Sequence, residues 1–196
     1  MNLTTLQYKI FVWLAFSGLV LSTPLAFVLP VEWSFENGLI ENAQIVVLLG
    51  GIILILSVRS SMKWFQRFFA AGLLLIVFRE LSWGRVFFPM GMEKLGPVFV
   101  SMKDYEYRLP VYIFLAAYIS TMLFMLIYFV PVKKILAAPQ PWELFTVMVS
   151  AIIFSSIGEH THLLDRTCGQ IFEELNELIL YATLPVAALY YCRGDA

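Results

Sequence analysis

Charge is what this chain has least of. Asp, Glu, Lys and Arg make up 14% of its 196 residues, against 60% hydrophobic residues and a mean hydropathy of +0.81. Soluble domains carry roughly 25% charged and about 45–50% apolar residues. A surface polar enough for water is therefore excluded. The net charge of −1 leaves no basic excess, which excludes a general attraction to nucleic acid. Two cysteines, Cys168 and Cys192, are too few to define a disulfide framework. There is no Gly-x-Ser-x-Gly elbow, no phosphate-cradling glycine loop and no Cys-x-x-Cys pair, so none of these chemistries has its usual signature. Internal repeats and low-complexity segments are also missing.

What is present is apolar sequence in long runs. Six segments of spanning length can be drawn, at 10–31, 40–58, 64–85, 110–132, 142–159 and 171–191. Six spans of ~20 residues use about 120 residues, which leaves short loops and no room for a large soluble domain. The expected fold is all-α: a polytopic integral membrane protein, residues 1–196 forming one bundle of about six transmembrane helices. The first run is longer than a secretory h-region and no small-x-small site follows it, so it is expected to stay as a membrane helix. Trp13, Trp33, Trp64 and Trp142 fall near span ends, where indole rings anchor at the interface.

With the N-terminus taken as cytoplasmic, Lys9, Arg59, Lys63, Arg67, Lys133, Lys134 and Arg193 lie inside. Arg79, Arg85, Lys94, Lys103, Arg108 and Arg166 lie on the other face. The balance is only 7 to 6, so orientation rests on the short basic loops 59–67 and 133–134. A bacterial inner membrane with both termini cytoplasmic is the expected setting. The acids divide more sharply. Glu143 and Asp195 fall inside, and the remaining twelve of fourteen fall towards the outer, periplasmic face. Acids hardly set topology, so their gathering is a separate observation.

Four groups at that face could carry chemistry. Arg79-Glu80-Leu81-Ser82-Trp83-Gly84-Arg85 closes the third span. Glu80 would lie ~24 Å along the helix from Trp64, a depth at which a charge needs a partner. On a continuing helix Arg79 and Trp83 share one face, and Glu80 and Gly84 another. The segment Glu159-His160-Thr161-His162 holds both histidines of the chain. Its Glu-x-x-His spacing is one half of a di-iron carboxylate pattern. Glu173, Glu174 and Glu177 open the sixth span, where acids suit the helix dipole. Glu173 and Glu177 share a face and repel unless a cation or proton intervenes. Asn37-Gly38 marks a turn, and Glu41 and Gln44 follow it. Residues 86–109 form the longest connection, read as an interfacial segment or a lid.

The stretch HLLDRTCGQIFEEL, residues 162–175, is similar to a segment of alkaline ceramidases at His162, Gly169, Gln170, Glu174 and Leu175. The resemblance implies a membrane hydrolase with zinc held by histidines and a carboxylate. The remainder of the chain departs from that family. No histidine follows His162, so the family's later His-x-x-x-His is missing and its zinc site cannot be built in the same way.

Three function classes follow. In the first, the outer cluster binds or modifies a membrane lipid or lipid-linked substrate. Glu80, His160, His162 and Glu174 would serve as acid and base, with Arg79, Trp83, Arg85 and Glu41 binding substrate. In the second, the carboxylates pass a proton or cation, although the cytoplasmic halves of the spans are almost free of ionisable groups. In the third, the cluster is an interface to a membrane-protein partner or a second copy. A divalent metal on Glu159, His162, Glu173 and Glu177 is an expectation within the first class.

Overall fold

The computed structural model describes residues 4–93, 96–160 and 164–193. Lys94, His162 and Asp195, which enter the charge argument, lie outside that set. The described chain is helical except for one small hairpin. The long helices are α1 (Thr5–Ala26), α2 (Leu39–Ser57), α3 (Lys63–Glu80), α4 (Arg108–Tyr128), α6 (Trp142–His160) and α7 (Arg166–Arg193), with a short α5 at Val132–Ala137. Tight 3-10 turns at Val31–Ser34 and Ser82–Phe87 precede α2 and the hairpin. The hairpin pairs β1 (Pro89–Glu93) with β2 (Gly96–Phe99) antiparallel, with an irregularity between Pro89 and Gly91.

Five helical stretches are long and apolar enough to cross a membrane: Thr5–Ala26, Val31–Ser57, Arg108–Tyr128, Trp142–His160 and Arg166–Cys192. The count of about six is thus met in part. The remaining long helix, α3, has 18 residues and carries Lys63, Arg67, Arg79 and Glu80. Apolar side chains stand exposed around the bundle, among them Leu14 at 65%, Val20 at 74%, Ile53 at 68% and Ile127 at 72%. Long apolar helices with bare apolar flanks suggest an integral membrane protein.

Helix boundaries move where capping chemistry outweighs hydropathy. Thr4 Oγ1 accepts from the Gln7 N–H at 3.2 Å and Gln7 Oε1 from the Thr4 N–H at 2.8 Å. This capping box starts α1 five residues before the expected edge and leaves Trp13 in its third turn. Asp165 Oδ1 accepts from the Cys168 N–H at 2.7 Å and the Thr167 hydroxyl at 2.8 Å. That N-cap starts α7 at Arg166 rather than 171. Glu173, Glu174 and Glu177 therefore sit beyond the first turn, where the dipole has faded, and the capping account of them fails. α3 ends at Glu80 rather than 85. Ser82 (φ 45°), Trp83 (φ 58°) and Gly84 (φ 88°) turn left-handed, so Trp83 and Gly84 do not continue the faces of Arg79 and Glu80.

The central element is α7, which packs on α1, α2, α6 and, around Glu177 and Tyr181, α3. α4 packs on α3 and buries no residue. Leu48 and Ile55 from α2, Leu73 and Val77 from α3, and Tyr181 and Ala188 from α7 form the largest core. Val12, Leu19, Leu144 and Val147 fill the α1–α6–α7 side. Small residues set the close approaches, as in membrane bundles. A Cβ on Gly158 would lie 2.6 Å from the Gly169 carbonyl oxygen, so α6 and α7 meet backbone to backbone. A Cβ on Gly51 would lie 2.3 Å from Cγ of Pro185, which is inside α7. Cys168 and Cys192 lie at the two ends of α7 and form no disulfide with each other.

Gly51→Ala is expected to lower stability by about 1–3 kcal/mol through overpacking against the proline ring, read by thermal unfolding in detergent. The Cys168 N–H, with the Thr167 hydroxyl, holds the Asp165 carboxyl below its ordinary range. A depressed folded pKa stabilises above the unfolded pKa and is lost as pH falls through the folded one. Asp165→Ala should therefore melt earlier than wild type at neutral pH, with the gap closing below about pH 4. Asp165→Asn should restore the cap and show no such closure.

Candidate functional site

Glu173, Glu177 and Tyr181 recur every four residues and form a stripe along α7. The stripe meets the last turn of α3, which ends in Arg79-Glu80, and the first turns of α2, which carry Glu41 and Gln44. At the centre is a phenol. The Tyr181 hydroxyl lies 2.8 Å from Glu80 Oε1 and 3.2 Å from Glu177 Oε2. It has one proton, so it donates to one carboxylate at a time. Its oxygen accepts from Arg79 Nη1 at 2.9 Å, and Arg79 Nη2 donates to Glu177 Oε1 at 3.1 Å. Arg79 Nη1 also stands 3.7 Å from Glu80 Oε1. Glu80 is 8% exposed, whereas the Arg79 side chain is 59% exposed. The carboxylate is thus buried and the guanidinium reaches the outside.

A second bond set lies beside the first. Gln44 Nε2 donates to Glu174 Oε2 at 2.8 Å and to the Glu174 carbonyl at 3.0 Å. Gln44 is fully buried, and its Oε1 has no hydrogen-bond partner. Such a buried acceptor is satisfied by a protonated carboxyl group or by a ligand donor. Glu41, also buried, accepts from the Asn37 N–H. Asn176, lower on α7, is held by the Phe172 carbonyl at 2.7 Å and by Ser22 of α1.

Repulsion links these carboxylates across four helices. Glu80, Glu36 and Glu177 act on Glu41; Glu177, Glu80 and Glu173 act on Glu174; Glu159, Glu177 and Glu80 act on Glu173. Arg79 is the cation that acts on Glu80 and Glu173. One guanidinium cannot neutralise so many carboxylates, and ionised groups are costly at low dielectric. The chemical competence of the cluster is therefore to hold and exchange protons or to receive a positively charged group.

Of the residues singled out in the sequence, Arg79, Glu80, Glu41, Glu173, Glu174 and Glu177 converge. Others do not. Arg85 donates to the Ser82 carbonyl at 3.1 Å and the Val100 carbonyl at 3.2 Å. It ties the turn to the chain leaving the hairpin and is a structural staple. Trp83 stacks on Phe78 at 6.4 Å. His160 and Glu159 pair with each other at 3.1 Å, both largely exposed, on the final turn of α6. Among the described residues, no bond joins His160 to Glu80 or Glu174. His162 lies outside the described residues. Among the described residues no group of three or more His, Cys, Asp or Glu side chains could hold a metal ion. Tyr181 was not foreseen; its signal was the four-residue spacing to Glu177.

At the edge of the cluster, between the turn leading into α2 and the β1–β2 hairpin, lies a cleft of about 640 Å³. Glu32, Phe35 and Glu36 line one wall, and Met90, Met92 and Phe99 the other. Glu36 connects cleft and cluster. It accepts from the Ser82 hydroxyl at 3.4 Å and repels Glu41. No protein-family model, curated protein or solved structure matches this chain.

Tyr181→Phe is expected to cost about 1.5–3 kcal/mol, the range for hydrogen bonds to charged groups, because it leaves Glu80 buried without its donor. Adding Glu80→Gln should recover part of that loss, since contacting residues couple. Thermal unfolding of the two single variants and the double variant measures both.

Proposed function

We infer that this end of the bundle binds or modifies a lipid or lipid-linked substrate that enters sideways from the membrane. The observation that carries this reading is the cleft. It has the volume of a small-molecule site, an apolar wall on the hairpin, and a polar wall joined through Glu36 to the buried carboxylates. Arg79 is placed to meet an anionic group at the membrane boundary, and Glu80, Glu174 and Tyr181 are placed to move a proton.

The same geometry supports a membrane setting for the site. α3, at about 27 Å, acts as a sixth crossing, with Arg79 paired to Glu177 of α7 and Glu80 held by the Tyr181 hydroxyl. Both termini then lie on the side with the short basic loops, the cytoplasmic side of a bacterial inner membrane. The carboxylates lie at the periplasmic boundary.

Translocation of a proton or cation is the second reading, favoured by the excess of carboxylates over cations. One feature counts against it. Beyond Tyr181 the contact of α2, α3 and α7 is filled by Leu48, Ile55, Leu73, Val77 and Ala188, with no relay of ionisable groups among the described residues. A partner-subunit role is the third; its mark would be a membrane protein retained through purification.

The test is lipid retained by the full chain after purification in mild detergent, identified by native mass spectrometry. The expected result is lipid bound at defined stoichiometry, with a several-fold loss in Met90→Glu/Met92→Glu. Glu80→Gln should change lipid retention, stability or both. Delipidated protein throughout, or a Glu80→Gln variant identical to wild type in both properties, would reject the reading.

A further inference from the structure

The two walls of the cleft differ in chemistry, and the difference selects a ligand. Glu32 and Glu36 stand four residues apart on the α1–α2 connection and bring two carboxylates to the opening. Phe35 and Phe99 add aromatic rings, and Met90 and Met92 add thioethers. Lysine and arginine are missing from the described lining. The closest guanidinium in sequence, that of Arg85, is committed to the Ser82 and Val100 carbonyls. Carboxylates with aromatic faces and polarisable sulfur are the surroundings in which an ammonium group is stable. An anionic terminus in the same place would meet two like charges.

The hairpin supplies the complement for the rest of an amphiphile. Phe88, Met90 and Met92 stand along β1 and the residue before it, with Met90 and Met92 lining the cleft. They are 49%, 71% and 73% exposed, and neighbouring Phe87 is 70% exposed. The hairpin connects α3 to α4 and so lies at the membrane boundary when both cross. There an exposed apolar face enters the acyl region.

We propose that the cleft holds the ammonium headgroup of a membrane lipid between Glu32, Glu36 and the aromatic rings, with its chains along Met90 and Met92. This rests on the lipid reading above and names the headgroup that the reading leaves open. It also separates two tasks. Ammonium recognition belongs to the outer cleft, and the half-exposed Arg79 guanidinium, bonded to Tyr181 and Glu177, belongs to the cluster.

The test uses the full chain in nanodiscs made from equal parts of phosphatidylethanolamine, phosphatidylcholine and phosphatidylglycerol. Lipids released with the protein are counted by native mass spectrometry. The two ammonium-bearing lipids should be enriched over phosphatidylglycerol by about tenfold, equivalent to ~1.4 kcal/mol. Glu32→Gln/Glu36→Gln should bring that ratio close to one. Tetramethylammonium added to wild type should lower the enrichment where sodium at equal ionic strength does not, a measurement independent of how the variant folds. Equal or greater retention of phosphatidylglycerol by wild type overturns the proposal, as does a double variant that keeps the enrichment. No lipid retained from any mixture instead overturns the underlying lipid reading.

Discussion

A single phenolic oxygen holds the polar end of this bundle together. Tyr181 receives a proton contact from Arg79 and passes its own to Glu80 or Glu177, so four groups from α3 and α7 share one centre. Remove the hydroxyl and a carboxylate that is almost fully buried faces apolar neighbours and other acids. The cost of burying charge is met only if every remaining lone pair has a donor. This explains why α3 ends where it does. Its last two residues are the ones the network needs, and the chain turns immediately afterwards through Ser82, Trp83 and Gly84. That left-handed corner is unfavourable for a tryptophan. It is held by Arg85 from the far side and by Ser82 against Glu36.

The network also depends on how closely the helices approach. Polar groups on α2 and α7 can bond only if the backbones come near, and glycine at position 51 against the Pro185 ring permits it. On the opposite side Gly158 and Gly169 seat α6 on α7. Without a hydrophobic force between helices in lipid, such contacts and the polar bonds carry association. Small residues and buried acids are thus two parts of one packing solution, with α7 at its centre.

Much of this was legible in the sequence because the membrane imposes a coarse code. Run length located every long helix, and the sequence placed Arg79, Glu80, Glu41, Glu173, Glu174 and Glu177 at one end. What escaped notice was decided by local or tertiary bonds that hydropathy does not see. Capping at Thr4 and Asp165 shifted two helix starts, and the corner at Ser82 cut a third helix short. A continuing helix would put Trp83 beside Arg79, and charge alone marks Arg85; the corner stacks Trp83 on Phe78 and leaves Arg85 bracing the hairpin. His160 looked chemical because histidine is scarce here, but α6 ends with it exposed beside Glu159. Tyr181 looked like one more aromatic in an apolar helix. Its role comes from contacts more than ninety residues away in the chain.

Pro185 follows Tyr181 by four positions, so the carbonyl of the tyrosine lacks the amide hydrogen that an uninterrupted helix would give it. The backbone of α7 is therefore softest at the residue that carries the polar network. The segment before this joint bears the acids, and the segment after it is lodged in the apolar core.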